Sequence, residues 1–254
     1  MGIIGGRLGY RLLKAVAPGG RGTHSMDGSA YADRSKLRVL LGDELLASVK
    51  GATVVDFGCG NGTEAIELAR AGARRVIGVD IQEDLLAEGR RRAAEQGLSD
   101  RVTFTSAPEG MADVIMSIDS FEHFDDPAGV LSAMHGLLRP GGKVVVSFGP
   151  TWYHPLGGHL FSVFPWAHLL FTESALLRWR ADFKSDGATR FGEVAGGLNR
   201  MTIARFERLV AESPFELARL EAVPIRGLRL AANRLTREVT TAIVRATLVK
   251  PARQ

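Results

Sequence analysis

Val54-Val55-Asp56-Phe57-Gly58-Cys59-Gly60-Asn61-Gly62 is the stretch whose reading decides the fold. A short β-rich run stops at three glycines on alternate positions. Glycine permits a tight turn from strand to helix and lets a ligand come close to the backbone. The helix expected next, from Thr63 to Ala71, would offer free N–H groups and a positive dipole end at the loop. Eighteen residues beyond Gly62, Asp80 ends a second β-rich run, Arg75 to Asp80. A carboxylate there can accept both hydroxyls of a ribose. A glycine triplet alone is weak evidence. Between a strand and a helix, with a strand-terminal acid following, it marks a nucleoside site.

Outward from this loop, strands and helices alternate. Helix is expected over Glu83–Gln96 and Pro127–Leu138, and strand over Val102–Thr105, Asp113–Ile118 and Lys143–Phe148. A turn is expected at Pro140-Gly141-Gly142. Such alternation predicts βαβ units and a parallel sheet, and the near-continuous apolar strands fit burial on both faces. A helix at Thr202–Glu212 and strands near Phe215–Val223 and Val239–Val249 resume the pattern. Before the loop, leucines at helical spacing predict one helix from about Ala32 to Val49. Gly5, Gly6 and Gly9 weaken a helix in the first twenty residues.

Residues 151–200 break the alternation. They hold nine of the eighteen aromatics, all three tryptophans and three of the six histidines. The expected organisation is an N-terminal helical segment (1–50), a nucleoside-binding core (51–150), an inserted aromatic-rich cap (151–200) and a C-terminal part completing the sheet (201–254). The fold class is α/β: a Rossmann-like, seven-stranded, mostly parallel sheet with helices on both faces and a cap inserted after strand 5.

The chain has 254 residues, 45 % hydrophobic and 24 % charged, with a net charge of +4. This composition excludes disorder as the main state. The single cysteine, Cys59, excludes a disulfide framework and a cysteine-based zinc site, and fits a reducing, cytoplasmic compartment. No apolar run reaches the roughly 18 residues of a spanning helix. The charge is uneven: residues 1–40 carry +5 and residues 226–254 carry +6, leaving −7 between them. Basic ends of this kind serve as solvated faces or as contacts for anionic membranes or nucleic acid.

The identity of the nucleoside follows from charge. A dinucleotide fingerprint reads G-x-G-x-x-G, whereas here the third glycine comes one position early and Asp56 precedes the first. A carboxylate beside the loop repels a pyrophosphate and suits a cation. S-adenosylmethionine, with its sulfonium and ammonium groups, meets that demand and carries its own reactive methyl.

With these residues in view, the chain resembles the class I S-adenosylmethionine-dependent methyltransferases, and more narrowly the small-molecule enzymes with a type 11/12 methyltransferase domain. The carriers are Val55–Gly62, Val76–Ile81, Asp113–His123 and Leu137–Lys143, together spanning about residues 50–150. The run from Trp152 to His168 is similar to a cap found in a subset of them. The resemblance implies that Gly58, Gly60 and Gly62, with Asp56 and Cys59, face the methionine part of the cofactor. Asp80 would bind the ribose, Ile81 would pack on the adenine, and Ser117 to Asp119 would line the methionine end. One departure stands out. Family members commonly have an Asp after the third strand for the adenine amino group, where this chain has Ser106-Ala107-Pro108-Glu109. Glu109 or the Ala107 backbone are the substitutes, and the linker to Asp113 is too short for the usual helix.

His123, just past the fourth strand, is the candidate general base, since histidine titrates near working pH. His154 and His159 are candidates to point from the cap into the acceptor cavity. His154, His159, His168 and Glu173 match no compact zinc pattern, so no metal is expected. Cys59 has no activating base nearby in sequence and reads as a small residue beside the cofactor. The expected reaction is methyl transfer from S-adenosylmethionine to an O or N nucleophile of a small molecule by in-line displacement. Rival readings are an RNA or lipid-like acceptor, or a cofactor-binding module without turnover. The cap aromatics are not interleaved with Lys/Arg as a strand-binding groove requires, which speaks against nucleic acid. Weak contact of the basic ends with an anionic membrane remains a rival partner reading.

Overall fold

Seven strands run in chain order: β1 (Thr53–Phe57), β2 (Arg75–Val79), β3 (Val102–Thr105), β4 (Ala112–Ile118), β5 (Leu138–Phe148), β6 (Glu216–Pro224) and β7 (Thr241–Val249). The computed structural model describes residues 2–20, 35–194 and 197–252. The strands form one sheet in the order β3-β2-β1-β4-β5-β7-β6. The first five are parallel, and β7 is antiparallel to both β5 and β6. The order reverses between β1 and β4, where open α/β sheets leave a crevice beyond the carboxyl ends of their strands.

Alternation along the strands builds two cores. Val54, Val76, Val114 and Met116 point to one face, under helices α4 (Thr63–Arg70) and α5 (Glu83–Glu95). Val55, Ile77, Ile115, Val144 and Val146 point to the other, under α6 (Pro127–Leu137) and α9 (Ile203–Ala211). Each fully buried aliphatic side chain is worth about 1.5–3 kcal/mol over leaving it in water. Both faces being covered explains why these strands read as continuous apolar runs.

Three boundaries differ from the sequence expectation. The helix expected over 32–49 is two short ones, α2 (Lys36–Leu41) and α3 (Asp43–Ser48), and its start lies outside the described residues. Gly42, at φ 79°, breaks them apart, a conformation that ends a helix at little cost only for glycine. The turn at 140–142 is absorbed into β5 as an irregularity: Ala112 pairs with Leu138, but Val114 pairs with Lys143. The last strand begins at Thr241, after a single helical turn, α10 (Arg237–Thr240).

The N-terminal glycines do not prevent a helix. α1 spans Gly6–Val16 and packs against α8 (Glu173–Arg180) of the insertion. Gly9 permits this approach, since a Cβ there would lie 3.1 Å from the Ala175 methyl and 2.9 Å from the Ile4 carbonyl. Leu13 and Ala17 join Phe161, Phe171, Leu176, Trp179 and Phe191 in a third core. The backbone N–H groups of Ile3 and Ile4 donate to the Leu170 carbonyl, both at 3.0 Å, and Trp179 Nε1 donates to the Ala17 carbonyl at 2.9 Å. Among the described residues no helix is long and apolar enough to cross a membrane.

Candidate active site

The glycine loop is a scaffold before it is a ligand surface. Gly58, Gly60 and Gly62 all have positive φ, at 82°, 50° and 78°. The N–H groups of Gly58 and Cys59 both donate to the Val79 carbonyl, at 2.8 and 3.0 Å, tying the loop to the end of β2. A Cβ on Gly62 would lie 2.4 Å from the Phe104 ring, and one on Gly58 2.6 Å from Ser120. A Cβ on Gly60 would meet none of the described residues within 4 Å. Gly60 is thus the loop position whose open side faces free space.

Asp80 sits just past β2, as its position in sequence requires. One carboxylate oxygen accepts from the Gly60 N–H at 2.9 Å and the other from the Gln82 N–H at 3.0 Å. A carboxylate has about four acceptor sites, so both oxygens keep capacity for further donors. Ile81 beside it is 92 % exposed, an apolar side chain left in water. Ala107 turns back on Thr105: its N–H donates to Thr105 Oγ1 at 3.1 Å and its carbonyl accepts from the same hydroxyl at 3.2 Å, which leaves that carbonyl one further acceptor site. Cys59 faces inward. Its side chain is buried in the core, its N–H is spent on Val79, and burial pushes its thiol well above the usual range.

Acidic groups converge beyond β1 and β4. Asp56 is 2 % exposed, and its Oδ2 has no hydrogen-bond partner among the described residues. Burial, reinforced by Glu64 and Asp80, pushes its carboxyl up to about 8. Glu122 is similarly buried; burial and Asp119 raise it to about 8, while its Oε1 accepts from the Gly149 N–H at 3.1 Å. Glu64, at the start of α4, is raised by burial as well. Asp119 has φ 50°, an uncommon backbone state for a non-glycine residue that concentrates at functional sites. The hydroxyls of Ser117 and Ser147 are buried without partners among the described residues. A cation reaches this cluster from α2: Lys36 Nζ lies 3.1 Å from Asp119 Oδ2 and favours the charged forms of Asp56, Glu64 and Glu122. Lys36 did not stand among the sequence candidates. Lys36 gave no local signal, because the fold alone brings it to strands that start far along the chain.

The histidines separate into two roles. His123 Nδ1 is 2.9 Å from the Gly197 carbonyl. A carbonyl only accepts, so Nδ1 carries the proton and Nε2 keeps its lone pair. Burial lowers the pKa of His123. Its ring meets the His159 ring edge to face, centroids 5.2 Å apart. His159 has φ 49°, a buried Nε2 without a partner, and a pKa that burial and the neighbouring His123 and His168 push down to about 3. His154 is not paired with them in this way: its Nδ1 accepts from the Leu156 N–H at 2.9 Å, and burial lowers it to about 4. His168 is a structural bridge between Ser162 and the Trp152 carbonyl. A cavity of about 380 Å³ opens beside His123, walled by Phe191, Leu198, Asn199, Arg200 and Arg205 of the insertion and α9.

Comparison with known proteins fits this geometry. A family model described as a methyltransferase domain matches residues 29–217. A ubiquinone biosynthesis O-methyltransferase of Pseudomonas paraeruginosa is 38 % identical over 121 residues, 45 % of this chain and 51 % of the relative. The chain therefore spans about half the length of the curated relatives it matches. Among solved structures, an S-adenosylmethionine-dependent methyltransferase from Mesorhizobium loti has a TM-score of 0.52 at 19 % identity, covering 81 % of this chain and 96 % of that one. A geranyl diphosphate methyltransferase in complex with S-adenosylmethionine has a TM-score of 0.53 at 18 % identity, covering 82 % and 83 %. At these identities the likeness is one of fold.

Proposed function

The chain belongs to the methyltransferase domain family, and from that premise we propose that it moves a methyl group from S-adenosylmethionine to an oxygen nucleophile of a small organic acceptor. The observation that carries the cofactor assignment is the buried acidic cluster at the β1/β4 crevice. Asp56 Oδ2, Glu122 Oε2 and the Ser147 hydroxyl are buried polar atoms without partners among the described residues, and such groups cost free energy until a ligand or water satisfies them. A ligand bearing ammonium and sulfonium groups fits that acid-rich lining. Asp80 would hold the ribose, Gly60 the approach of the methionine portion, and Ile81 the apolar flank of the base.

When bound, the cofactor supplies a methyl group on a positively charged sulfur, ready for displacement. The protein's own residues orient and deprotonate. Gly197 fixes the His123 ring so that Nε2 is the acceptor nitrogen. Burial keeps that ring neutral at physiological pH, the state a general base needs. His159 and the cap aromatics exclude water from the same side. The oxygen acceptor is supported by the name of the Pseudomonas relative and by a neutral histidine poised for a hydroxyl proton.

Calorimetry with S-adenosylhomocysteine tests the cofactor assignment. The wild type is expected to bind, and Asp80→Ala to bind at least tenfold more weakly; absence of wild-type binding refutes the reading. His123→Ala should lower the rate of labelled-methyl transfer on the order of a hundredfold with cofactor affinity retained. A rate within a few-fold of wild type removes the base role.

A further inference from the structure

The connection between β6 and β7 carries an unusual surface. Leu230 is 105 % exposed and Leu235 95 %, with Leu228 partly exposed beside them. Monomeric proteins expose single leucines freely, but a cluster of large apolar side chains marks an interaction site. Arg226, Arg229 and Arg234 alternate with them in sequence. The ion pairs of the described residues include none of these three.

This loop is ordered rather than loose. Asn233 Oδ1 accepts from the N–H groups of Leu235 and Thr236, at 2.9 and 3.2 Å, and Thr236 Oγ1 donates to the Ala231 carbonyl at 2.6 Å. Its foot is clamped: Arg237 forms a two-pronged pair with Glu207, and Glu238 accepts from the N–H groups of Ile203 and Ala204 at the start of α9. The tip is therefore held in a shape that keeps its leucines in water.

Position adds the third observation. β7 starts opposite the carboxyl end of β5, with Val244 paired to Phe148. The loop thus emerges at the same end of the sheet as the acidic cluster, and Thr151, at the root of the cap, donates to the Glu238 carbonyl.

We propose that the β6–β7 loop docks on an anionic lipid bilayer, its leucines entering the acyl boundary and its arginines meeting the headgroups. Apolar residues alternating with unpaired cations fit an interface that is apolar inside and anionic outside. RNA fits less well, because residues 225–240 contain no aromatic for bases to stack on. The outer face of α1 repeats the pairing, with Leu8, Leu12 and Val16 exposed beside Arg7 and Arg11. Docking at this end of the sheet deepens the transferase reading, and rests on it, in one respect only: it makes the acceptor a lipophilic molecule drawn from the bilayer.

Flotation of the full chain with vesicles tests the proposal. Co-migration is expected with phosphatidylcholine–phosphatidylglycerol vesicles and not with phosphatidylcholine alone. The triple variant R226Q/R229Q/R234Q should lose on the order of a hundredfold in partitioning, and L230S/L235S at least tenfold. Both variants alter exposed side chains and should keep the wild-type circular dichroism. Failure of the wild type to float with anionic vesicles overturns the proposal, as does flotation unchanged in both variants. A solution dimer dispersed by L230S/L235S also overturns it, assigning the leucines to a second copy. Flotation needs no cofactor, so it stands or falls separately from S-adenosylhomocysteine binding.

Discussion

Alanine at Gly60 and alanine at Gly62 should damage the protein in different ways, although the two glycines lie two residues apart in one loop. Both have positive φ, where a Cβ costs roughly 1–2 kcal/mol. At Gly60 nothing else is added, because the new methyl meets no atom of the described residues within 4 Å. At Gly62 the methyl would lie 2.4 Å from Cε1 and Cζ of Phe104. That ring cannot retreat. Cβ atoms on Gly78 and Gly89 would lie only 2.6 and 2.8 Å from it, so it already rests against those backbones. Overpacking of this kind adds about 1–3 kcal/mol. Gly62→Ala should therefore be less stable than Gly60→Ala by that amount, a gap of roughly 2–12 °C in Tm for a chain of this size. Affinity should run the other way. Gly60→Ala fills the open side of the loop and should weaken S-adenosylhomocysteine at least tenfold, while Gly62→Ala below its Tm should bind more nearly as wild type. Differential scanning calorimetry and isothermal titration measure both quantities, and Phe104→Leu in the Gly62→Ala background should recover part of the lost stability. Equal Tm values for the two variants, or full affinity in Gly60→Ala, would refute the reasoning.

Asp56→Asn should raise the Tm of the ligand-free protein at pH 9 and lose that advantage toward pH 5. The folded carboxyl is raised above its unfolded value of 3.8 to about 8, so it weakens the fold as pH climbs through that window; a Tm difference independent of pH contradicts the assignment. The buried histidines act at the acid side. His154 and His159, lowered to about 4 and about 3, contribute stability that is whole above pH 6.5 and drains away as pH falls below it. His159→Gln should flatten the fall in Tm between pH 6.5 and 4, and an unchanged slope would show that His159 does not supply it. Trp179→Phe strands the Ala17 carbonyl and should cost about 1–3 kcal/mol. Amides of α1 should then exchange faster while those of α9 do not, and uniform exchange across both helices would count against a local anchor.

The parallel half of the sheet was legible because its strands are buried on both faces and its turns are written in glycine. Val54–Gly62 and Asp80 could be placed by spacing alone, since the loop and the acid are joined by one βαβ unit. What escaped was long-range. Lys36 enters the acidic cluster from a separate helix, and no local pattern distinguishes it from a solvated lysine. Sequence also does not reveal which N–H groups the fold itself uses: those of Cys59 and Ala107 are donated to the Val79 carbonyl and to Thr105 Oγ1. The glycines of α1 lowered its helix propensity, yet tertiary packing against Ala175 overrode that preference. The burial of Glu122 likewise has no signal in the residues adjacent to it.

The docking of α1 on α8 has a consequence for the order in which the chain is made. The face bearing Gly9, Leu13 and Ala17 leaves the ribosome early, whereas Trp179 and Phe191 follow some 160 residues later. At about 5–20 residues per second, that face waits roughly 8–30 s for its partner. Throughout that interval its leucine and alanine side chains are open to other apolar surfaces, including those of neighbouring nascent chains. The five parallel strands can pair in the meantime, since β1 to β5 all precede α8. Until the insertion is made, the inner face of α1 is therefore a surface open to capture by a chaperone.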